Sequence, residues 1–137
     1  MGEVRIQVLL TNIVDRTNAN HGMVARDQIR TYTANAMVDT GAVCTIVPQH
    51  VVDILGLDVE GHRVAECADG RKDVVNLVGP ILLEIDGRTT MDEASVLGDE
   101  VLIGQTVLEK MDLHVDCANR RFVANPAHPD QPVLKVK

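Results

Sequence analysis

Aromatic side chains are almost absent from this sequence of 137 residues, which has one Tyr, one Phe and no Trp. Hydrophobic residues still make up 45% of the chain, so a core must be built from Val, Leu, Ile, Met and Ala. Proteins that bind single-stranded nucleic acid by base stacking need aromatic platforms, which this chain does not supply. Its composition favours strands instead.

Basic residues are outnumbered, with 13 Lys and Arg against 20 Asp and Glu and a net charge of -7 at pH 7. Such a charge repels phosphate backbones and anionic lipid headgroups. Arg71-Lys72 and Arg120-Arg121 are too small to form a basic patch. We therefore expect neither nucleic acid nor membrane among the partners, whereas a neutral or cationic polypeptide would be tolerated better.

Long apolar runs and paired cysteines are also missing. No run approaches the roughly 18 residues that a bilayer-spanning helix needs, and Met1 to Leu10 contains Glu3 and Arg5, unlike a signal peptide. The three cysteines are odd in number and show no paired spacing, which suits a reducing cytoplasm better than a disulfide framework. The sequence therefore predicts a cytoplasmic protein. Among the three cysteines, Cys44 is interpreted either as a small buried apolar residue or as an oxidation-sensitive thiol.

Several common catalytic patterns do not occur. The sequence has no glycine-rich phosphate loop, no Gly-x-Ser-x-Gly, and no Cys with a supporting His motif. The histidines are scattered without the spacing of metal ligands; they are His21, His50, His62, His114 and His128. We therefore expect no metal and no cofactor.

What the sequence does contain is one carboxylate between two hydrophobic runs. Ala36-Met37-Val38 leads into Asp39-Thr40-Gly41-Ala42, and an apolar run from Val43 to Val47 follows before Pro48. Because burial penalises a charged carboxylate, Asp39 is expected to be functional or strongly hydrogen-bonded. The Gly lets the backbone turn tightly and offer amides to the carboxylate.

The remaining pattern predicts short strands separated by turns. Val4 to Leu10 is predicted as a strand, 11–20 as a loop, and 28–33 as a strand that turns at Ala34-Asn35. Two Asp-Gly pairs, at 69–70 and 86–87, predict tight hairpins. Further strands are expected at 78–85, 101–103, 113–115 and 122–123, the last following a turn at Asn119-Arg120.

Two segments are predicted as short helices. Pro48 to Leu55 has apolar residues on one face and Gly56 just past its end, and Gln105 to Met111 has Val107, Leu108 and Met111 at helical spacing. Together the elements indicate a mostly β closed barrel with one or two short helices. Residues 1–125 are predicted as one domain and residues 126–137, which contain three prolines, as an irregular tail.

Three of these features, in this order, resemble the retropepsin-like aspartic proteases, and most closely the small bacterial single-lobe type. They are the Asp-Thr-Gly at 39–41, the hairpin at 66–76 where the family has its flap, and Val101-Leu102-Ile103-Gly104 leading into a helix. The resemblance covers about residues 3 to 125. It implies an acid-protease barrel with one lobe per chain and the activity of an aspartic endopeptidase.

The resemblance also implies residue roles. It implies that the catalytic residues are Asp39, Thr40 and Gly41, and that the substrate-binding residues are Ala42, Ala68, Asp69, Gly70 and Arg71. Aspartic proteases need two carboxylates around one water, and this chain has a single Asp-Thr-Gly. The second carboxylate would therefore be Asp39 of a second copy, so the expected enzyme is a homodimer that binds an extended peptide.

Two other interpretations remain open at this stage. One keeps the fold without the chemistry, as a dimeric peptide-binding or scaffold module. The other treats Asp39 as a capped turn residue in an unrelated β barrel. The role of the chain end is also open, because Pro132 to Lys137 could add a strand to a dimer sheet but follows a Pro-containing stretch.

Overall fold

The computed structural model describes residues 3–119, 121–134 and 136. This part of the chain contains nine strands and three α-helices. The strands are β1 (Arg5–Asn12), β2 (Thr31–Val38), β3 (Thr45–Val47), β4 (Val59–Glu66), β5 (Lys72–Ile85), β6 (Arg88–Val96), β7 (Leu102–Ile103), β8 (Leu113–Asp116) and β9 (Arg121–Ala124). The helices are α1 (Ile13–Asn20), α2 (Gln49–Leu55) and α3 (Gln105–Met111). None of these helices is long and apolar enough to cross a membrane.

Six strands close into a barrel in the order β1-β2-β7-β3-β6-β5, because β5 pairs back onto β1. The seventh strand of this sheet, β4, pairs with β5 alone. The predicted fold class, a mostly β closed barrel with one lobe per chain, is confirmed, with three short helices where one or two were expected.

The barrel core is aliphatic, as the composition predicted. All buried hydrophobic side chains of the described residues are Val, Leu, Ile, Met or Ala. In the second half of β5, Ile81, Leu83 and Ile85 are fully buried while Leu82 and Glu84 are not, which is the period-two alternation of a strand with one face in the core. Each such side chain contributes about 1.5 to 3 kcal/mol on burial.

The prediction of a loop at 11–20 is wrong, because residues 13–20 form α1. The side chain of Asn12 accepts a hydrogen bond from the Asp15 amide (3.0 Å) and so caps the helix. The same side chain donates to the Leu55 carbonyl (2.7 Å). Two nitrogens of Arg30 donate to the Asp15 carboxylate at 2.8 and 2.9 Å. A cap and tertiary contacts, rather than hydrophobic periodicity, therefore fix this helix.

The predicted turn at Ala34-Asn35 is also wrong, because β2 runs without interruption from Thr31 to Val38. It pairs antiparallel with β1 over seven residue pairs, from Thr11 opposite Thr31 to Arg5 opposite Met37. Asn35 is exposed between two buried alanines. The polar residue that suggested a turn therefore lies on the outer face of a continuous strand.

The predicted helices at 48–55 and 105–111 are confirmed. Pro48 is the N-cap of α2, and Gly56 ends it with a left-handed φ of 63°, a conformation that glycine adopts without steric cost. Val107, Leu108 and Met111 of α3 are buried, as their spacing predicted. Both helices thus pack one apolar face against the barrel.

The two Asp-Gly hairpins are confirmed but differ in turn geometry. Asp86 and Gly87 both have positive φ (49° and 78°), as a two-residue turn requires. At the other hairpin only Gly70 has positive φ (85°), the Gly70 amide donates to the Cys67 carbonyl (2.9 Å), and the Cys67 amide donates to the Arg71 carbonyl (2.8 Å). This is a three-residue loop with a bulge, which differs from the two-residue turn at Asp86-Gly87.

The chain after β9 is tied to the loop between α3 and β8. The Asp112 carboxylate accepts hydrogen bonds from the Asn125 side chain (2.8 Å) and the Val133 amide (3.0 Å), and lies 2.6 Å from Nδ1 of His128. Arg88 donates to the carbonyl of His128 (2.7 Å). Residues 126–134 form no strand within the described chain. The domain boundary at residue 125 and the contribution of Pro132 to Lys137 to a dimer sheet stay predictions.

Some sequence predictions involve residues that lie outside the described part of the chain. These residues are Met1, Gly2, Arg120, Lys135 and Lys137. The turn at Asn119-Arg120 and the last positions of the tail are affected.

Candidate active site

The Asp-Thr-Gly segment forms a tight loop at the end of β2. The Asp39 amide donates to the Ile103 carbonyl of β7 (2.9 Å), and the Ala42 amide donates to the Asp39 carbonyl (3.0 Å). The Gly41 amide donates to Oδ1 of the Asp39 carboxylate (3.0 Å). A Cβ on Gly41 would lie 3.3 Å from that oxygen, which is a tight contact. The loop therefore orients the carboxylate through its own backbone.

Gly104, between β7 and α3, packs closely against the backbone of this loop. A Cβ built on Gly104 would lie 2.6 Å from the Ala42 carbonyl oxygen and 2.9 Å from that of Cys44. The Gln105 amide donates to the same Ala42 oxygen (2.9 Å). The two backbones approach so closely that only glycine fits between them.

The exposure of the loop differs from what the sequence suggested. Asp39 was expected between two buried runs, but in the single chain it is half-buried, while Thr40 and Gly41 are exposed and Val43 is 76% exposed. The apolar run after the loop thus begins outside the core and enters it only at Thr45. Within the part of the chain that the structure describes, the Thr40 hydroxyl makes no hydrogen bond.

A cavity of about 720 Å³ lies between this loop and β4. Four of the residues singled out from the sequence line it, namely Asp39, Gly41, Ala42 and Ala68. The other four, Thr40, Asp69, Gly70 and Arg71, do not line it in the single chain. The structure therefore brings the Asp39 loop together with the β4 arm of the hairpin as far as Ala68, whereas Asp69, Gly70 and Arg71 lie outside the lining.

Sequence reasoning missed several residues that line this cavity. They are Arg63, Ala65 and Cys67 on the hairpin and Ser95 and Leu97 at the end of β6, together with their neighbours. Along β4, Gly61, Arg63 and Ala65 are half-buried while His62, Val64 and Glu66 are exposed. The alternation of a strand could have identified Arg63 and Ala65 as inward-facing, had the register been known; Val64 and Glu66, on the exposed face, also line the cavity.

The tip of the hairpin is held by its own residues. The Arg71 amide donates to the Asp69 carboxylate (2.9 Å), and Arg71 Nε lies 3.4 Å from the Asp73 carboxylate. The hydrogen bond to the Cys67 sulfur and the nearby Asp73 charge raise the pKa of Arg71. The Arg71–Asp73 pair is largely exposed and contributes little to stability, so the tip is held mainly by the hydrogen bonds of its own backbone.

Behind the loop, β3 is tied to β6 and α3 by polar contacts. Thr45 Oγ1 donates to the Asp92 carboxylate (2.7 Å), and Lys110 Nζ lies 3.2 Å from its other oxygen. The Cys44 sulfur lies 3.7 Å from Ser95 Oγ, and this thiol is half-buried. Among the described residues, no group of three or more His, Cys, Asp or Glu side chains is arranged to hold a metal ion.

Comparison with known proteins found one kind of likeness. No protein-family model and no curated protein matches this sequence. Among solved structures, the chain is similar to the protease of simian foamy virus (mac), determined in solution, with a TM-score of 0.48 and 13% identity. That match covers 76% of this chain and 90% of the viral one.

Proposed function

We propose that this chain is an aspartic endopeptidase that acts as a homodimer, with one Asp39 carboxylate from each copy. The observation that carries the proposal is that Asp39, oriented by the Gly41 amide (3.0 Å), lines a cavity of about 720 Å³ that β4 also lines. A half-exposed carboxylate beside a cavity of this size is available to a substrate.

The chemistry requires two such carboxylates around one water. One acts as base toward the water and the other, carrying the shared proton, as acid toward the peptide carbonyl oxygen. Two like charges about 3 Å apart cannot both ionise, which keeps one proton in the pair. One chain supplies one carboxylate, so a two-fold axis beside Asp39 would complete the site.

The exposure of the loop supports such an axis. Thr40, Gly41 and the 76% exposed Val43 present polar and apolar surface that a second copy would cover. The Thr40 hydroxyl, which has no hydrogen-bond partner within the described chain, would bond across the axis to the other loop. The site is therefore complete only in the dimer.

The substrate would be an extended peptide held under the hairpin. Within the described sheet β4 pairs only with β5, so its other edge is free to accept a peptide as an added strand. Ala42 and Ala68 would line the cleft, and Asp69, Gly70 and Arg71 at the tip would close over the peptide. Excluding water there would strengthen the electrostatics of the carboxylate pair.

The first experiment compares the wild type with Asp39→Asn on a peptide library. Asn keeps an oxygen that can accept from the Gly41 amide, so the loop should be retained. Cleavage should fall by about a thousandfold or more, as when an essential catalytic group is removed. Asp99→Asn, at an exposed position that does not line the cavity, is the control and should cleave like the wild type.

The shared site gives a second measurement. Sedimentation should show a dimer of about 30 kDa, twice the 14.9 kDa of one chain. In a 1:1 mixture of wild type and Asp39→Asn, random pairing leaves about a quarter of the dimers intact. Activity should therefore fall to about a quarter, whereas simple dilution of an active monomer would leave about half. Peptide binding without cleavage would favour the scaffold module instead.

A further inference from the structure

Arg63 is the one charged residue on the inward face of β4. Its neighbours on that face are Gly61 and Ala65, and its side chain is 34% exposed. It lines the same cavity as Asp39. The rest of the lining is mainly small or apolar, with Ala42, Ile46 and Leu97 among its members. Arg63 therefore places a cation in the lining of the cavity that Asp39 also lines, among mostly small or apolar side chains.

The guanidinium of Arg63 has no close partner among the described residues. Its nearest anion is the carboxylate of Glu93, at 3.8 Å, which is too long for a hydrogen bond, and Glu93 is itself 57% exposed. By contrast, Arg30 donates two short bonds to Asp15 and Arg88 donates to three carbonyl oxygens. Within the described chain, the N–H groups of Arg63 remain available.

We propose that Arg63 binds a carboxylate of the substrate and is thus a specificity-determining residue of the proposed protease; this inference rests on the proposed function. A guanidinium offers a planar fork of donors that matches a carboxylate, and the pair is strengthened where water is excluded. Glu66, the other charged lining residue on β4, lies on the exposed face. Its carboxylate therefore competes little with a substrate carboxylate for Arg63.

The net charge of the protein limits what the rest of the substrate can be. A chain of net charge -7 repels a strongly acidic peptide over about the 8 Å that physiological salt allows. The preferred substrate therefore carries one carboxylate in an otherwise neutral or cationic segment. That carboxylate is either an Asp or Glu side chain or the C-terminal carboxylate of the peptide.

The test compares paired peptides within a cleavable sequence at pH 6, where a glutamate side chain is ionised. One set replaces Glu by Gln at each position in turn, and a second set compares a free with an amidated C-terminus. At one position the wild type should show a kcat/KM ratio of roughly tenfold in favour of the carboxylate. If the ratio appears in the first set, the recognised carboxylate is a side chain; if it appears in the second set, it is the C-terminal carboxylate.

Variants connect the ratio to Arg63. Arg63→Met should bring the kcat/KM ratio between the two peptides of a pair close to one, and Arg63→Lys should retain part of the preference for the carboxylate. Arg63→Glu should reverse the preference, so that a peptide with Lys at that position is cleaved better. Glu93→Gln should raise it, because the competing anion is removed. Arg16→Met, at an exposed position of α1 outside the cavity, should leave it unchanged. No carboxylate preference at any position, or a preference that persists in Arg63→Met, overturns the inference.

Binding separates this inference from the proposed function. Fluorescence anisotropy with Asp39→Asn, and with Asp39→Asn combined with Arg63→Met, measures the affinity of the same labelled peptides without cleavage. A preference for the carboxylate that depends on Arg63, found without cleavage by the wild type, would refute the protease and keep the carboxylate site. Cleavage without any such preference would do the opposite, and the loss of both binding and cleavage would refute both.

Discussion

Replacing Gly104 by Ala is expected to destabilise the barrel and to displace the loop that carries Asp39. The new Cβ would lie 2.6 Å from the Ala42 oxygen and 2.9 Å from the Cys44 oxygen. Ordinary van der Waals contact begins near 3.4 Å, so one of the two backbones must retreat by about 0.8 Å. Neither obstacle is the flexible end of a side chain, so no rotamer change can relieve the contact.

The magnitude follows from two contributions. Overpacking of this kind costs about 1 to 3 kcal/mol. The retreat also strains the hydrogen bond from the Gln105 amide to the Ala42 oxygen (2.9 Å), which contributes about 0.5 to 1.5 kcal/mol. A loss of about 2 to 4 kcal/mol corresponds to a fall in Tm of roughly 10 °C for a domain of this size.

Thermal unfolding by circular dichroism measures this effect, with Gly61→Ala as the matched control. A Cβ on Gly61 meets only a Leu77 methyl at 4.0 Å, and its φ is not in the left-handed region, so this variant should melt close to the wild type. If the chain is the proposed protease, Gly104→Ala should also lose about a hundredfold in kcat/KM through misplacement of Asp39. A Gly104→Ala protein that melts within a degree or two of Gly61→Ala would refute the steric argument.

Three further predictions concern the loop and the chain end. Thr40→Ala should weaken the dimer by about 1 to 3 kcal/mol in sedimentation equilibrium and Thr40→Ser much less; equal effects would exclude the proposed contact. The activity profile is expected to peak at about pH 4 to 6, and Ala42→Ser should move it to lower pH, because the new hydroxyl would stabilise the ionised carboxylate; an unmoved profile in an intact dimer would contradict this. The Asn125 side chain, followed by the Val133 amide, lowers the pKa of Asp112 from 3.8 to about 2. Because its pKa is lowered on folding, the Asp112 carboxylate contributes stability that is complete above pH 3.8 and lost as the pH falls through about 2; urea unfolding between about pH 2 and 6 should show a shallower loss in Asp112→Asn than in the wild type.

The elements that the sequence predicted well are those with local signals. The helices α2 and α3 have an apolar face and a defined start or end, and Asp86-Gly87 requires only its own backbone conformation. The missed helix α1 depends on Asn12 reaching Leu55 and on Arg30 reaching Asp15. Such contacts join residues that are distant in sequence, so no local pattern contains them.

The same limit applies to the candidate site. The carboxylate of Asp39 could be identified from its neighbours in sequence, because the Gly that donates to it is two residues away. The inward-facing Arg63 could not, because a single polar residue in a strand belongs to either face until the pairing of Val64 with Val74 is known. Sequence reasoning therefore located the loop and missed the side chains opposite it.

The two halves of strand β5 have different pairing partners. Residues 81–84 pair with β1 on one side and β6 on the other, whereas residues 72–76 pair with β4 alone. An isolated two-stranded hairpin is only marginally stable in water, so the first half can open without the barrel unfolding. Native-state hydrogen exchange should therefore change steeply within one continuous strand, from weak protection near Lys72 to protection close to that of global unfolding at Leu83.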